Sequence, residues 1–409
     1  MKNEYVIIIG RQENSDSEIR AIKKLGYKIA LFKPTIDFET CIEVDYPVMI
    51  DLDNETEVVE KVEEFSLKNK IAGIYTLSEY RVTLAARIAE RLNLTEHSLS
   101  YLGAINCFNK KRTREILNNN GISFVKYQIV SDLRSAREAI HQIAFPIVVK
   151  PLNDAGSNLV SICKNNSELE TAIENIIKAK YNSLGQMLES EILIEEYLEG
   201  EEYSIEACTI NNLTSIISIT KKYLLSADIP VEIGHSVPTK FNDQDFETLY
   251  NMISQAFKVL DIKNAVTHTE IKMTSNGPKI IEINARPGGD EIPYLVNAIT
   301  GINLHELALE ILLGGDLNSY QKNPIVAKSA SIRYFSTLKP GIFDIKREML
   351  INLYPEIVTI GKMPEYGTMV TPTNNNYSRL GYFIVFGDTE SYAEKRANEI
   401  LKNVKVIRD

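Results

Sequence analysis

Cysteine is scarce: the 409-residue chain has four, Cys41, Cys107, Cys163 and Cys208, widely spaced and with no Cys-x-x-Cys pair. That excludes a disulfide framework or a cysteine zinc site as the basis of the fold and makes a reducing cytoplasm the expected setting. Positive charge is in deficit: 45 Lys and Arg face 55 Asp and Glu, for a net charge of −10. The basic footprint of a general nucleic-acid or anionic-membrane binder is therefore missing. Long apolar runs are missing too. The apolar run before Gly10 is only five residues long, Tyr5 to Ile9, too short for a signal-peptide core, and no stretch approaches the ~18 residues of a membrane span. There is no internal repeat and no low-complexity segment. With 44% hydrophobic and 24% charged residues, the chain is expected to fold, with room for about two to four domains or subdomains.

What is present begins with an alternation of two periods. Residues 5–9 are an apolar run of the buried-strand type, stopped at Gly10. Residues 17–25 suit a helix capped by Ser15 or Asp16 and ended by Gly26. Residues 28–32 and 71–76 suit further strands, and residues 80–92 a helix with Leu84, Ile88 and Leu92 four apart. Repetition of strand, helix and strand predicts an open parallel sheet covered by helices over residues 1–108. No Gly-x-Gly-x-x-Gly follows the first strand, so dinucleotide binding has no support there.

A helix from Lys110 to Asn119 leads into a second α/β block, residues 122–196. Its expected strands are 127–130, 145–150, 160–163 and 192–196, and its helices 133–143 and 167–180. Two strands then flank the turn signal Asn211-Asn212. Residues 221–240, with Pro230, Gly234 and Pro238, break the pattern and read as a long functional loop. Beyond lie a hairpin, helices at 291–298 and 303–313, and a strand-rich tail closed by a helix at 392–402.

The densest chemistry lies between His268 and Gly289, a hairpin turning at Ser275-Asn276-Gly277. A two-residue loop would leave Glu270 and Glu282 diagonal and on opposite faces. A three-residue loop, with Gly277 left-handed, sets them directly across from each other. The longer loop is expected, because it gathers Glu270, Glu282, Asn284 and Arg286 on one face and Ile271, Met273, Ile281 and Ile283 on the other. Facing carboxylates repel unless a cation compensates. With the Asn284 amide oxygen they make a hard-oxygen set suited to Mg²⁺, completed by phosphate and water. Arg286 offers a planar fork for phosphate or carboxylate, and the amides of Gly288 and Gly289 can approach an oxyanion closely. The alternative is a solvated strand face. Four polar groups in register beside Pro287-Gly-Gly289 argue against it.

Lys150 ends an apolar strand before the loop Asn153-Asp-Ala-Gly-Ser-Asn158, a place for a phosphate-binding point charge or for a lysine snorkelling at a sheet edge. Lys110 opens a basic helix and is read either as a phosphate contact or as part of a solvated face. The acidic segment from Glu195 to Glu202 can serve as a hinge whose backbone reads an adenine edge, or as a plain surface linker.

Together, Asn109-Lys-Lys-Arg-Thr-Arg114, Val148-Val-Lys-Pro151, Glu195-Glu-Tyr-Leu-Glu-Gly-Glu-Glu202 and Glu270 followed by Glu282-Ile-Asn-Ala-Arg286 resemble the ATP-grasp superfamily. Within it the chain is similar to the carboxylate–amine ligase group that includes bacterial L-amino acid (dipeptide) ligases. The order of motifs is that of the family over nearly the whole chain. The resemblance implies an α/β (α+β) ATP-grasp fold in three parts. These are an open parallel-sheet domain (1–108), a central region (109–200) with a mobile lid (122–196), and a C-terminal domain (201–409) holding the metal site and a small subdomain.

The resemblance also implies a site. ATP would be held by Lys110, Lys150, Ser157 and Glu195, by the backbones of Glu196 and Leu198 at the adenine, and by Glu202 at the ribose. Glu270, Glu282 and Asn284 would bind Mg²⁺ or Mn²⁺. Arg286, Gly288 and Gly289 would orient the substrate carboxylate and the transferring phosphate. The implied activity is an ADP-forming ligation that activates an amino-acid carboxylate as an acyl phosphate and joins it to an amine, most simply as a dipeptide. Loading of an amino acid onto a carrier protein and non-catalytic ATP-binding regulation are the alternatives. The implied partners are small-molecule amino acids, with a homodimer left open and neither nucleic acid nor membrane. Residues 221–240 would wall the acceptor site, where His235 either deprotonates the incoming amine or holds its own loop. Glu79 is either a substrate contact or a helix cap. His268 is read as strand packing.

Overall fold

The computed structural model describes residues 2–10, 17–226 and 228–408. Ser15 and Asp16, the expected cap of the first helix, lie outside them. Strands β1 (Glu4–Ile9), β2 (Lys28–Lys33), β3 (Tyr46–Met49) and β4 (Lys70–Tyr75) form a parallel sheet in the order β3-β2-β1-β4. Such a sheet must be covered on both faces. On β1, Val6, Ile7, Ile8 and Ile9 are all at 0% exposure. Val6 and Ile8 pack with helix Ser17–Lys24, while Ile7 and Ile9 pack with helices Glu55–Ser66 and Val82–Arg91. The sequence reading omits β3. Three of its four residues are exposed, so no buried period marks it.

The second sheet, order β5-β8-β6-β7, is antiparallel and contains β5 (Tyr127–Val130), β6 (Ile147–Pro151), β7 (Ser161–Cys163) and β8 (Ile192–Glu196). Helices Leu133–Ala139 and Asn166–Ala179 share its core through Ala136, Leu169 and Ile173.

The largest sheet runs through β9 (Glu201–Ile210), β10 (Leu213–Ser226), β11 (Ile229–Val237), β12 (Ala265–Thr274), β13 (Gly277–Asn284) and β14 (Ser329–Tyr334). A small sheet of β15 (Gly341–Phe343), β17 (Met369–Val370) and β19 (Ile407–Arg408) flanks it. With β16 (Ile357–Ile360) and β18 (Tyr382–Gly387), the large sheet has eight strands in the order β13-β12-β9-β10-β11-β14-β18-β16. Its two faces differ by one residue of phase. Tyr203, Ile205 and Ala207 of β9 join Ile271, Ile280 and Ile283 in a core closed by helix Asp243–Val259. Glu202, Ser204 and Glu206 alternate with them and face the other way. The sequence reading omits that helix too, although Leu249, Met252, Ile253 and Phe257 carry its period.

Residues 221–240 are not a loop. They belong mostly to β10 and β11, with Lys222 paired to His235 and register shifts on either side of Leu224. Those bulges hide the two-residue period. Gly234 is obligatory there, since a Cβ would fall 2.6 Å from the Ile332 carbonyl oxygen. The Asn211-Asn212 turn is as expected, both residues being left-handed at φ 51 and 66.

The β12–β13 hairpin reaches the expected outcome by another route. Near the turn the pairing is Thr274 to Gly277, Met273 to Pro278 and Ile271 to Ile280, the register of a two-residue loop. A bulge at Ile281 then restores Glu270 opposite Glu282. As a result Ile280, not Ile281, enters the core, and Ile281 lines the cavity. Among the described residues no single helix is long and apolar enough to cross a membrane.

Candidate functional site

A cavity of about 800 Å³ opens where the parallel sheet, the antiparallel sheet and the charged face of the large sheet converge. Every residue nominated from the sequence lines it except Gly288 and His235.

The charged wall is built on β9, β10, β12 and β13. Glu270 Oε1 lies 2.9 Å from Lys222 Nζ and 3.4 Å from His268 Nε2. Glu282 Oε1 lies 3.4 Å from Lys110 Nζ. Asn284, at 5% exposure, sits beside Glu79 and Glu282. With its amide turned, the nitrogen donates to both Glu79 oxygens at 3.0 Å and to Glu282 Oε1 at 3.2 Å. In the opposite orientation an amide oxygen faces three carboxylate oxygens with no proton between them, the donor set a hard divalent cation satisfies. The residues present fit Mg²⁺ or Mn²⁺, with Glu79 beside them as a carboxylate the sequence reading assigns elsewhere.

Lys222 is the main residue that sequence reasoning misses. Its side chain is fully buried among Glu202 at 3.2 Å, Glu232 at 2.9 Å and Glu270 at 2.9 Å. Burial alone would drive this ammonium down, but the three carboxylates outweigh it and hold it well above the ordinary lysine value. Glu270 feels the converse: burial raises it, yet Lys222 and His268 hold it well below the carboxylate range. Glu202 moves up instead, because burial and the nearby acids exceed the pull of Lys222. A usable signal existed in the alternation of Glu202, Ser204 and Glu206 along one strand. His268 is also more than packing. Its ring nitrogens face Glu206 at 2.9 Å and Glu270 at 3.4 Å, and these acids overcome burial to push it up to about 10.

Beside Lys150, the Glu195 side chain is taken up by neighbouring cations. Its carboxylate takes Arg114 Nε and Lys150 Nζ, each at 2.6 Å, with all three side chains buried. It thereby aims Lys150, while its own oxygens are spent. The Glu196 N–H donates to the Lys126 carbonyl, and the Leu198 carbonyl accepts from Lys272 Nζ at 3.0 Å. The Lys150 side of the cavity is closed by the loop bearing Ser157. There Asp154 accepts from Tyr80 Oη at 2.8 Å and from Ser183 N at 3.1 Å, and the Asp154 carbonyl accepts from Lys110 Nζ at 2.8 Å.

Burial raises the Glu195 carboxyl, but Arg114 and Lys150 prevail and hold it at about 2, below the ordinary 4.5. A depressed acid stabilises the fold above its unfolded value and loses that contribution as pH falls through the folded one. The wild-type melting temperature should therefore fall between about pH 4.5 and 2. Glu195→Gln, which strands two buried cations, should cost about 3 kcal/mol at pH 7 and flatten this acid limb. An unchanged acid limb in thermal denaturation would count against the triad.

Beside Arg286, Glu79 is not a helix cap. Its Oε2 lies 2.5 Å from Arg286 Nε, and no side-chain cap bond is made at the following turn Glu79–Arg81. His235 does not reach the cavity. It is at 0% exposure on β11, with Nε2 3.2 Å from Asp290 Oδ2 and 3.4 Å from Glu232 Oε2. Its place is behind the wall, so direct deprotonation of a bound amine is not open to it. Asp290, which does line the cavity, accepts both Arg379 η-nitrogens at 2.6 Å. Asp290 and Glu291 are both left-handed, at φ 54 and 61, a costly backbone of the kind held at functional sites.

Comparison with known proteins bears on the family and the fold. The ATP-grasp N-terminal domain model matches residues 19–95 and the ATP-grasp domain model residues 143–293. Dapdiamide A synthase of Enterobacter agglomerans is 28% identical over 309 residues, 73% of this chain and 70% of that protein. Alanine–anticapsin ligase of Bacillus subtilis is 27% identical over 317 residues, 71% of this chain and 65% of that protein. The crystal structure of L-amino acid ligase from Bacillus licheniformis shares the fold at a TM-score of 0.83 and 23% identity, covering 100% of both chains. Two matched domain models, together covering residues 19–95 and 143–293, and the shared fold lead to one statement: the chain belongs to the ATP-grasp superfamily.

Proposed function

We propose that this protein is an ATP-dependent, ADP-forming ligase that activates an amino-acid carboxylate as an acyl phosphate and joins it to a second amino acid's amine. The observation that carries this reading is that Glu270, Glu282 and Asn284 line one cavity together with Lys110, Lys150 and Arg286. Acids and cations interleaved in this way suit a polyanion together with its counter-ion. The reaction class also agrees with the relatives, among them D-alanine–D-alanine ligase of Flavobacterium johnsoniae, 26% identical over 303 residues.

Roles follow from position. Lys110 and Lys150 offset phosphate charge, and Glu195 keeps Lys150 aimed. The Glu196 carbonyl and Leu198 N–H meet the adenine edge, and Glu202 the ribose. Glu270, Glu282 and Asn284 would hold magnesium, which when bound would neutralise charge on the transferring phosphoryl group. Arg286, braced by Glu79, presents its remaining nitrogens to the substrate carboxylate. After the amine attacks, Arg286 and the exposed Gly289 N–H stabilise the oxyanion. His235 serves from behind, fixing Asp290 at the acceptor end.

Incubation with ATP, Mg²⁺ and pairs drawn from an amino-acid panel should release ADP and phosphate in equal amounts with a dipeptide. Release of AMP and pyrophosphate in step with product would overturn the proposal.

A further inference from the structure

On the same face of the large sheet as Glu270, deeper than the cavity wall, lies a pair of side chains to which the proposed reaction assigns no role. Glu206 on β9 stands directly across from His268 on β12, at 0% and 6% exposure. Glu206 Oε1 accepts from Ser204 Oγ at 2.8 Å and lies 2.9 Å from His268 Nδ1. Glu206 Oε2 is buried without a hydrogen-bond partner among the described residues. The other ring nitrogen, Nε2, lies 3.4 Å from Glu270 Oε1. One imidazole thus links a wholly buried acid to an acid on the cavity wall.

Two further contacts give the link a direction. Lys222 Nζ meets the same Glu270 oxygen, Oε1, at 2.9 Å. With Oε1 held from two sides, Oε2 is the oxygen left for a cation. Gly288 closes the arrangement from the other flank. A Cβ there would lie 2.7 Å from His268 Nδ1 and 3.3 Å from Glu206 Oε2, so the backbone leading to Gly289 rests on the pair. A buried acid with an unfilled oxygen is expensive, and an apolar pair would fill this space at lower cost. The expense is met where a ring nitrogen can reach a metal-binding carboxylate. Groups that orient such ligands from behind commonly change metal affinity by about 10- to 100-fold when removed.

We propose that Glu206 and His268 are positioning residues: Glu206 sets the imidazole, and His268 Nε2 holds Glu270 so that its free oxygen faces the metal. The inference rests on the metal-dependent reading given above. Its test is Mn²⁺ uptake in the presence of ADP, followed by loss of the free-ion EPR signal. His268→Gln keeps a donor at the Nε2 position and should bind Mn²⁺ within about threefold of wild type. His268→Asn, whose amide reaches only the Nδ1 position, and His268→Leu should bind about 10- to 100-fold more weakly. ADP affinity in EDTA should be the same in all variants, which separates orientation from misfolding. Equal Mn²⁺ affinities for His268→Gln and His268→Asn would overturn the positioning role. Absence of Mn²⁺ uptake by the wild type with ADP would instead overturn the metal assignment, and this inference with it.

Discussion

Glu282→Gln is expected to lower turnover by on the order of 10³-fold while metal-free ADP affinity stays within about threefold of wild type. The substitution is nearly isosteric, so its effect is electrical. Glu282 faces Glu270 across the hairpin, and Asn284 lies 3.2 Å from its Oε1. An amide in its place removes one negative charge from a site built for a cation and can turn a donor toward it. Lys110 loses its 3.4 Å partner but keeps the Asp154 carbonyl at 2.8 Å, which preserves one phosphate contact. Steady-state ADP release, compared with calorimetric ADP binding in EDTA, checks this. Full turnover by the variant would remove Glu282 from the metal set.

Arg286→Lys is expected to lower kcat/KM for the amino-acid substrate by about 10²-fold or more and to leave KM for ATP within about threefold. Lysine keeps the charge but not the fork. Arg286 is already ion-paired with Glu79 and donates one η-nitrogen to the Pro287 carbonyl, so its orientation is set before substrate arrives. A lysine ammonium cannot hold Glu79 and also present parallel donors to a carboxylate. Initial rates with the amino acid varied at saturating ATP read the effect. An equal rise in both KM values would assign Arg286 to the nucleotide.

Much of the site was legible because strands sort residues two by two. Glu270, Glu282 and Asn284 share a face, and helix Lys110–Asn119 and strand β8 have the expected bounds. The route to that face was not legible. The hairpin loop is one residue shorter than expected and the strands regain register through the Ile281 bulge, which periodicity cannot distinguish from a longer turn. Bulges also disguise β10 and β11, and with them Lys222, whose meaning depends on three acids from other positions in the chain. Glu195 lies within the acidic segment expected to meet the nucleotide, yet its oxygens belong to Arg114 and Lys150. His235 illustrates the same limit, since a reactive side-chain type in a polar segment says nothing of which way the strand turns it. Charge identity can be read locally, but charge pairing requires the fold.

The central claim is that a carboxylate oxygen of the amino acid attacks the γ-phosphorus of ATP. It is tested most directly by turnover of a substrate amino acid labelled with ¹⁸O in its carboxylate, with mass analysis of the phosphate formed. One ¹⁸O atom per phosphate released is the expected result. Label in AMP, or dipeptide formed with unlabelled phosphate, would contradict it.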